Sequence, residues 1–458
     1  MRTECSERRY RFQPLGRRDV VARFDGGAIT SDGGALLLRE VEARTGIVAG
    51  LAACFRDLRD PLRIEHSVAE LVAQRVFGLA LGYEDLVDHD DLRRDPLLAV
   101  AVGRTDAERP LAGKSTLNRL ELTRGDATSA ARYQKIVIDQ AAVDRLLVEV
   151  FLEAHTTPPQ QIILDLDATD DPLHGHQEGR FFHGYYDGYC YLPLYIFCGE
   201  HLLCARLRTS DIDGAAGSVD ELKRIVSQIR SAWPAVAITI RADSGFCREE
   251  LMAWCEGHAV DYVLGIARNA RLEAEIAADL ELARIEHVLR GTAVRRFKEL
   301  RYRTLTSWSC ERRVIAKAEH LDRGSNPRFI VTSLLRSEHD GRTLYEDVYC
   351  ARGDMENRIK EQQLYLFADR TSAATMRANQ IRLDLSSVAY VLLAALRRLA
   401  LAGTAMARAQ CHTIRVKLLK IGALVTLSAR KVWVSLASGC PYAAIFATAW
   451  SQLRAAPA

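Results

Sequence analysis

The sequence predicts an α/β protein built on a mixed sheet, and three runs of residues predict it. After Pro158 and Pro159, the apolar run QIILDLDATD ends in carboxylates, and two β-rich runs follow, CYLPLYIFCG and HLLCARLRTS, separated by a glycine-containing turn as in a hairpin. Next comes VDELKRIVSQIRSAW, whose apolar residues at 219, 222, 225, 226 and 229 lie on one helical face. The strand VAITIRADSGF, a helix around REELMAWCEGH and the strand DYVLGIAR complete the series. Hairpin strands followed by strand-helix-strand units require antiparallel and parallel pairing in one sheet.

The flanking segments read differently. A basic start without a clear element leads into FDGGAITSDGGALLLREVEARTG, whose Gly-Gly pairs read as turns, with Ser31 or Asp32 placed to cap the helix that follows. From there to about residue 150 the pattern is helical, as in Leu71, Val72, Val76, Leu79 and Leu81. An acidic stretch, YEDLVDHDDLRRD, precedes the polar GKSTLNRLELTRG, where Ser115 or Thr116 offers an N-cap. Residues 269–340 interrupt the α/β pattern with a charged helix and alternating runs, which suggests a small β-rich insertion. Helical texture returns with GRTLYEDVYCARGDMENRIKEQQLYL and continues, apolar and basic, from about 372.

A length of 458 residues suits about three domains, and 48% apolar residues supply their cores. No run reaches the ~20 apolar residues of a membrane span; the longest, 388–405, is broken by Arg397 and Arg398. The charged N-terminus does not read as a secretory signal. Eleven scattered cysteines without a CxxC pair point to a reducing cytoplasm rather than a disulfide framework. The net charge of +3 conceals an asymmetry. Residues 1–150 carry 23 Lys and Arg against 24 Asp and Glu, and 151–371 carry 28 against 34. Residues 372–458 carry 11 against one, Asp384. A basic tail suggests a polyanionic partner; a solvated helix face explains the same charge equally well.

Four carboxylates stand where chemistry would need them. Asp165 and Asp167 share one face of the first strand, because side chains alternate along a strand. Asp243 ends another strand of the same sheet, and Glu356 lies in the helical segment beyond the insertion. Carboxylates at strand ends beside a helix-borne Glu suit hard divalent cations, Mg²⁺ or Mn²⁺. Two such ions ~3.5–4 Å apart can drive phosphodiester chemistry. Any one of these acids alone reads more simply as a cap or an ion-pair partner. Tyr349, Arg352 and Glu356 fall at i, i+3 and i+7, so one helical face presents all three, with Lys360 continuing the row. Arg352 can grip a phosphate bidentately, or simply pair with Glu356. His174, His176 and His183 do not match a zinc pattern. Trp308 can stack a flipped base, although a lone Trp is more often core. Nucleotide-binding glycine motifs are absent.

The spacing Y-x2-R-x3-E around Glu356 resembles the signature of the large IS-four-like group of bacterial DDE transposases. LDLDATDDPLHGHQEG with YYDGYCYLPLYIF, IRADSGF, FDGGAITSDGGALLLRE and GKSTLNRLE resemble segments of insertion-sequence family 1380, so the likeness covers most of the chain. One position departs: the Lys that usually follows the Glu by seven is Gln363 here, and the basic role then falls to Lys360. The resemblance implies an RNase H-like core with Asp167, Asp243 and Glu356 as its metal-binding catalytic triad. Asp167 is preferred to Asp165 because Ala168 and Thr169 follow it, which leaves Asp165 supporting the ligands from behind. DNA contacts are expected from Tyr349, Arg352, Lys360, Lys114 and Arg119.

The expected organisation is a mostly helical DNA-binding region over 1–155 and an RNase H-like core over 156–268 and 341–400. A β-rich insertion occupies 269–340, and a basic helical region 401–458. The expected function is a cytoplasmic bacterial transposase that binds terminal inverted repeats in double-stranded DNA, cleaves the ends and joins the 3′-hydroxyls to target DNA. It would use two Mg²⁺ or Mn²⁺ ions and act as a homodimer or higher assembly on synapsis. The alternatives are an inactive DNA-binding or architectural relative, and a metal-dependent nuclease that cuts without joining.

Overall fold

The computed structural model describes residues 9–104, 109–122 and 125–455; the charged residues 1–8 lie outside them. The chain divides into two compact units, Asp139–Ser387 and the combination of Met1–Ile138 with Val388–Ala458.

The first unit contains the mixed sheet. Its main strands, numbered in chain order, are β1 (Gln161–Ala168), β2 (Leu194–Cys198), β3 (His201–Arg206), β4 (Ala237–Ala242), β5 (Asp261–Ile266), β6 (Val294–Tyr302), β7 (Arg312–Leu321) and β8 (Arg328–Thr332). Their order is β3-β2-β1-β4-β5-β8-β7-β6, and Gly324–Ser325 adds a short strand beside β7. β1 pairs antiparallel with β2 and parallel with β4, which pairs parallel with β5. An antiparallel 3-2-1 meander continued by parallel strands 4 and 5 is the RNase H-like arrangement, as expected. The strands of 294–332 extend this same sheet past β5, so the β-rich segment is continuous with the core.

Alternation along the strands separates two faces. Leu164, Leu166, Ile238, Ile240 and Leu264 point toward the helices Gln140–Glu153, Ser218–Ala232 and Glu249–Gly257 in one apolar core. Val263, Ile315 and Ile330 point the other way and pack against Leu344 and Tyr345. That second contact seats the helical segment bearing Tyr349, Arg352 and Glu356 on the face that also presents Asp165 and Asp167.

The second unit is mostly helical, with helices such as Ala35–Thr45, Val68–Leu81 and Ala443–Arg454. A small sheet joins Ile29–Thr30 to Ala423–Leu427 and Val432–Leu436. The basic start is not featureless: Tyr10–Leu15 and Arg18–Ala22 pair as a hairpin around Gly16, whose φ of 64° the turn requires. Neither expected cap forms. Gly34 precedes the helix Ala35–Thr45, and a Cβ there would lie 1.8 Å from the Leu418 carbonyl oxygen. The glycine pair therefore serves close backbone approach. Asp32 instead accepts hydrogen bonds from the Tyr83 hydroxyl at 2.7 Å and pairs with Lys420 at 2.6 Å. Likewise Gly113 precedes Lys114–Glu121, whose first amide donates to Asp90 from the acidic stretch.

Candidate active site at the strand ends

β1 and β4 end side by side, which places Asp167 and Asp243 at the carboxyl edge of the parallel strands, where ligands bind in open α/β sheets. Asp165 and Arg241 are register partners on these two strands. Arg241 donates to both Asp165 oxygens, at 2.5 and 2.8 Å, and to the Val348 carbonyl at 2.5 Å. Asp165 is 4% exposed and Arg241 7%. This buried pair ties the helical segment to the sheet immediately before Tyr349.

The signature residues do not lie on one regular helix. Leu344–Tyr349 is a π-helical turn, Cys350–Arg352 a 3₁₀ turn, and Gly353–Leu366 an α-helix. Such irregular turns gather at functional sites because they re-aim side chains. Tyr349 places its hydroxyl over β5, where Gly265 leaves room for it. A Cβ on Gly265 would lie 2.5 Å from that oxygen and 2.9 Å from the Ser244 amide next to Asp243. Arg352 pairs with Glu356 at 2.6 Å and reaches Asp167 at 3.5 Å. Its guanidinium thus bridges strand and helix, doing more than the simple i,i+4 pair. Asp243 also caps the turn Ser244–Phe246, accepting from the Gly245 amide at 2.8 Å.

Burial pushes the Asp167 carboxyl up to about 7, and the neighbouring charges of Asp243 and Glu356 push the same way, while Arg352 opposes them. Asp167 therefore shares one field with two further acids and the Arg352 guanidinium. Among the described residues no three His, Cys, Asp or Glu side chains converge on one point as ligands. The donor chemistry nevertheless fits a hard divalent cation: the acids offer only oxygen, and their excess negative charge is what a cation would relieve.

Other expected residues are placed as follows. Lys360 is exposed one turn beyond Glu356. Gln363, at the departing position, donates to Asp171 Oδ1 at 2.9 Å, and burial pushes the Asp171 carboxyl up to about 8. Lys114 and Arg119 belong to the other unit, where Lys114 pairs with Asp90 at 3.1 Å and Arg119 lies 5.4 Å from the Tyr133 ring. Trp308 is not available for a base: it is 6% exposed, edge-on to Tyr302, and closes the core under β6 and β7. His176 bonds Arg180 at 3.2 Å, and His183 lies beside Tyr186. Sequence reasoning missed Arg241 and Gly265. A charged residue inside the apolar run AITIRA was the signal for the first; nothing in the sequence marked the second.

The family model of the transposase DDE domain group 1 matches residues 12–458. The chain belongs to this family. The DDE transposase is thus an enzyme of DNA transposition. No curated protein matches it. The solved synaptic complex of piggyBac transposase with hairpin DNA is similar over 84% of this chain and 80% of that one, at 12% identity and a TM-score of 0.42. Among the described residues, no helix of this transposase is long and apolar enough to cross a membrane.

Proposed function

We propose that this transposase mobilises a bacterial insertion sequence resembling family 1380, acting in the cytoplasm. It binds the terminal inverted repeats, cleaves the ends and joins the 3′-hydroxyls to target DNA. The observation that carries the proposal is the shared field of Asp167 and Asp243 at the strand ends and Glu356 on the helix beside them, with Arg352 bridging Asp167 and Glu356. These three acids are the residues that would hold two Mg²⁺ or Mn²⁺ ions. Such ions would supply Lewis acidity for activating water or a 3′-hydroxyl and for the charge on the leaving oxygen.

The chain's own groups supply the rest. Arg352 partly offsets the acids in the free protein and, released from Glu356, presents a planar fork to a phosphate. The Tyr349 hydroxyl, held over Gly265, adds a hydrogen-bond donor beside Asp243. Asp165 and Arg241 fix the helix against the sheet so that these distances hold. Lys360 offers a cation to the DNA backbone from the exposed face, and Lys114 and Arg119 do so from the other unit. Synapsis of two ends requires at least a homodimer.

The test is cleavage of a duplex carrying the element's end, with Mg²⁺ or Mn²⁺. Asp167→Asn, Asp243→Asn and Glu356→Gln should each abolish strand cleavage, a loss of at least 100-fold, while end binding stays within about threefold of wild type. Cleavage surviving all three changes overturns the assignment. Cleavage without joining of pre-cut ends marks a nuclease instead.

A further inference from the structure

Between Asp167 and β2 the chain makes a small three-stranded sheet from Asp171–Pro172, Phe181–His183 and Gly188–Tyr191. Register sorts its side chains. Phe182 lies opposite Tyr189 on one face, their rings 5.6 Å apart and edge to face. Arg180 lies on that face too, its guanidinium 3.8 Å from the Tyr189 ring centre. At the turn, Tyr185 stands edge-on to Tyr186 at 5.0 Å. These rings are open: Phe182 is 55% exposed, Tyr189 44% and Tyr185 85%. Five large aromatics on ten residues, Phe181 and Tyr186 with the three above, far exceed what a solvated hairpin needs, and among the described residues neither apolar core of the unit includes them.

The platform adjoins the acids. Asp171 follows Asp167 by four residues and pairs with Tyr191, the end of the same hairpin. The charges of Asp170 and Asp167 act directly on Tyr186. Asp170, Asp171, Glu178 and Asp187 outnumber Arg180 across residues 170–191, so the hairpin lacks the net positive charge that phosphate gripping demands. Flat, open rings with one stacked guanidinium suit the faces of unpaired bases, and their phosphates are left to basic groups outside the hairpin.

We propose that Phe182, Tyr185 and Tyr189, with Arg180, form a stacking platform for unpaired nucleobases of the strand being cleaved at Asp167. The inference rests on the transposase reading for the identity of that strand. Stacking is sequence-tolerant, so the platform holds the end next to the scissile phosphate without reading it. It also places the stacking role in this hairpin, where the rings are exposed, and not at the buried Trp308.

The test uses the full chain and a fluorescent 20-nucleotide single strand of arbitrary sequence, with the same sequence as duplex, followed by anisotropy. Tyr185→Ala and Phe182→Ala should each weaken single-strand binding roughly 5- to 100-fold and leave duplex binding within twofold. Tyr185→Trp, which keeps a ring, should retain affinity and guards against misfolding. Wild-type single-strand affinity in both alanine variants overturns the proposal. So does an equal loss on duplex, or dissociation of a dimer by sedimentation with strand binding unchanged, which would mark a face for a second copy. Asp167→Asn separates the two readings: it should stop cleavage and keep single-strand affinity. Cleavage by wild type with unaltered binding in the alanine variants defeats the platform alone. Ring-dependent binding without any metal-dependent cleavage by wild type sustains the platform as a single-strand site and defeats the catalytic assignment.

Discussion

Asp165 and Asp167 stand two residues apart on one strand and one face, yet their surroundings are opposite. Asp165 is sealed, and both its oxygens are taken by a guanidinium that also binds the helix opposite. Asp167 is 16% exposed along its side chain, meets Arg352 only at 3.5 Å, and feels two further acids. The first is a saturated pair that holds structure. The second is left short of positive charge at the edge of the sheet. Charge compensated inside the protein cannot serve a ligand, whereas charge left uncompensated costs stability and is available for binding. Perturbed acids cluster at functional sites for this reason.

The largest effect should come from breaking the saturated side. Arg241→Leu leaves Asp165 buried without its partner and frees the Val348 carbonyl, and urea unfolding should show a loss of about 3–5 kcal/mol. Replacing both members, Asp165→Leu with Arg241→Leu, should recover much of that loss because no charge is stranded. An additive loss would show that the pair is not the unit described.

The undercompensated acids should show themselves in pH dependence. Burial raises Asp171 to about 8 and Asp384 to about 7, so the folded chain holds protons that the unfolded chain releases near 4. Their contribution to stability is therefore present at low pH and lost as pH rises through the folded values. The loss is on the order of 1.4 kcal/mol per pH unit for each group between its two values. Unfolding midpoints should fall between pH 5.5 and 8, and Asp384→Asn should flatten the slope. A midpoint independent of pH over that range contradicts the assigned burial.

Gly265 gives a smaller effect. Gly265→Ala sets a methyl against the Tyr349 hydroxyl and the turn of Asp243, and should cost roughly 1–3 kcal/mol. Tyr349→Phe, by removing the hydroxyl, should restore part of it. Full stability in Gly265→Ala would mean that the tyrosine is not held there.

The sheet was legible because strand alternation and helix periodicity act locally: QIILDLDATD, VAITIRADSGF and DYVLGIAR each read as the strand they form. Asp167, Asp243 and Glu356 stood out as motif residues, but the contrast between the sealed surroundings of Asp165 and the more open ones of Asp167 could not be read from the strand. What was hidden depends on pairing across long separations. Arg241 meets Asp165 over 76 positions and Val348 over 107, which no local pattern encodes. The irregular turns around Tyr349 were hidden too, since an i, i+3, i+7 spacing assumes one regular helix. The small strands near the C-terminus, ALVTL and VWVSL, were hidden in a segment whose abundant Ala and Leu favour helix; the pairing of the first to Ile29–Thr30 is again long-range. Trp308 shows the converse, a residue conspicuous by type whose burial only packing decides.

The central claim is that the open cluster, unlike the sealed one, holds divalent cations. Titration of the protein with Mn²⁺, following the free ion by electron paramagnetic resonance, tests it without DNA or turnover. The account predicts saturable binding of about two ions per chain, weakened at least tenfold by Asp167→Asn and by Glu356→Gln. Mn²⁺ binding that is unchanged in both variants would contradict it.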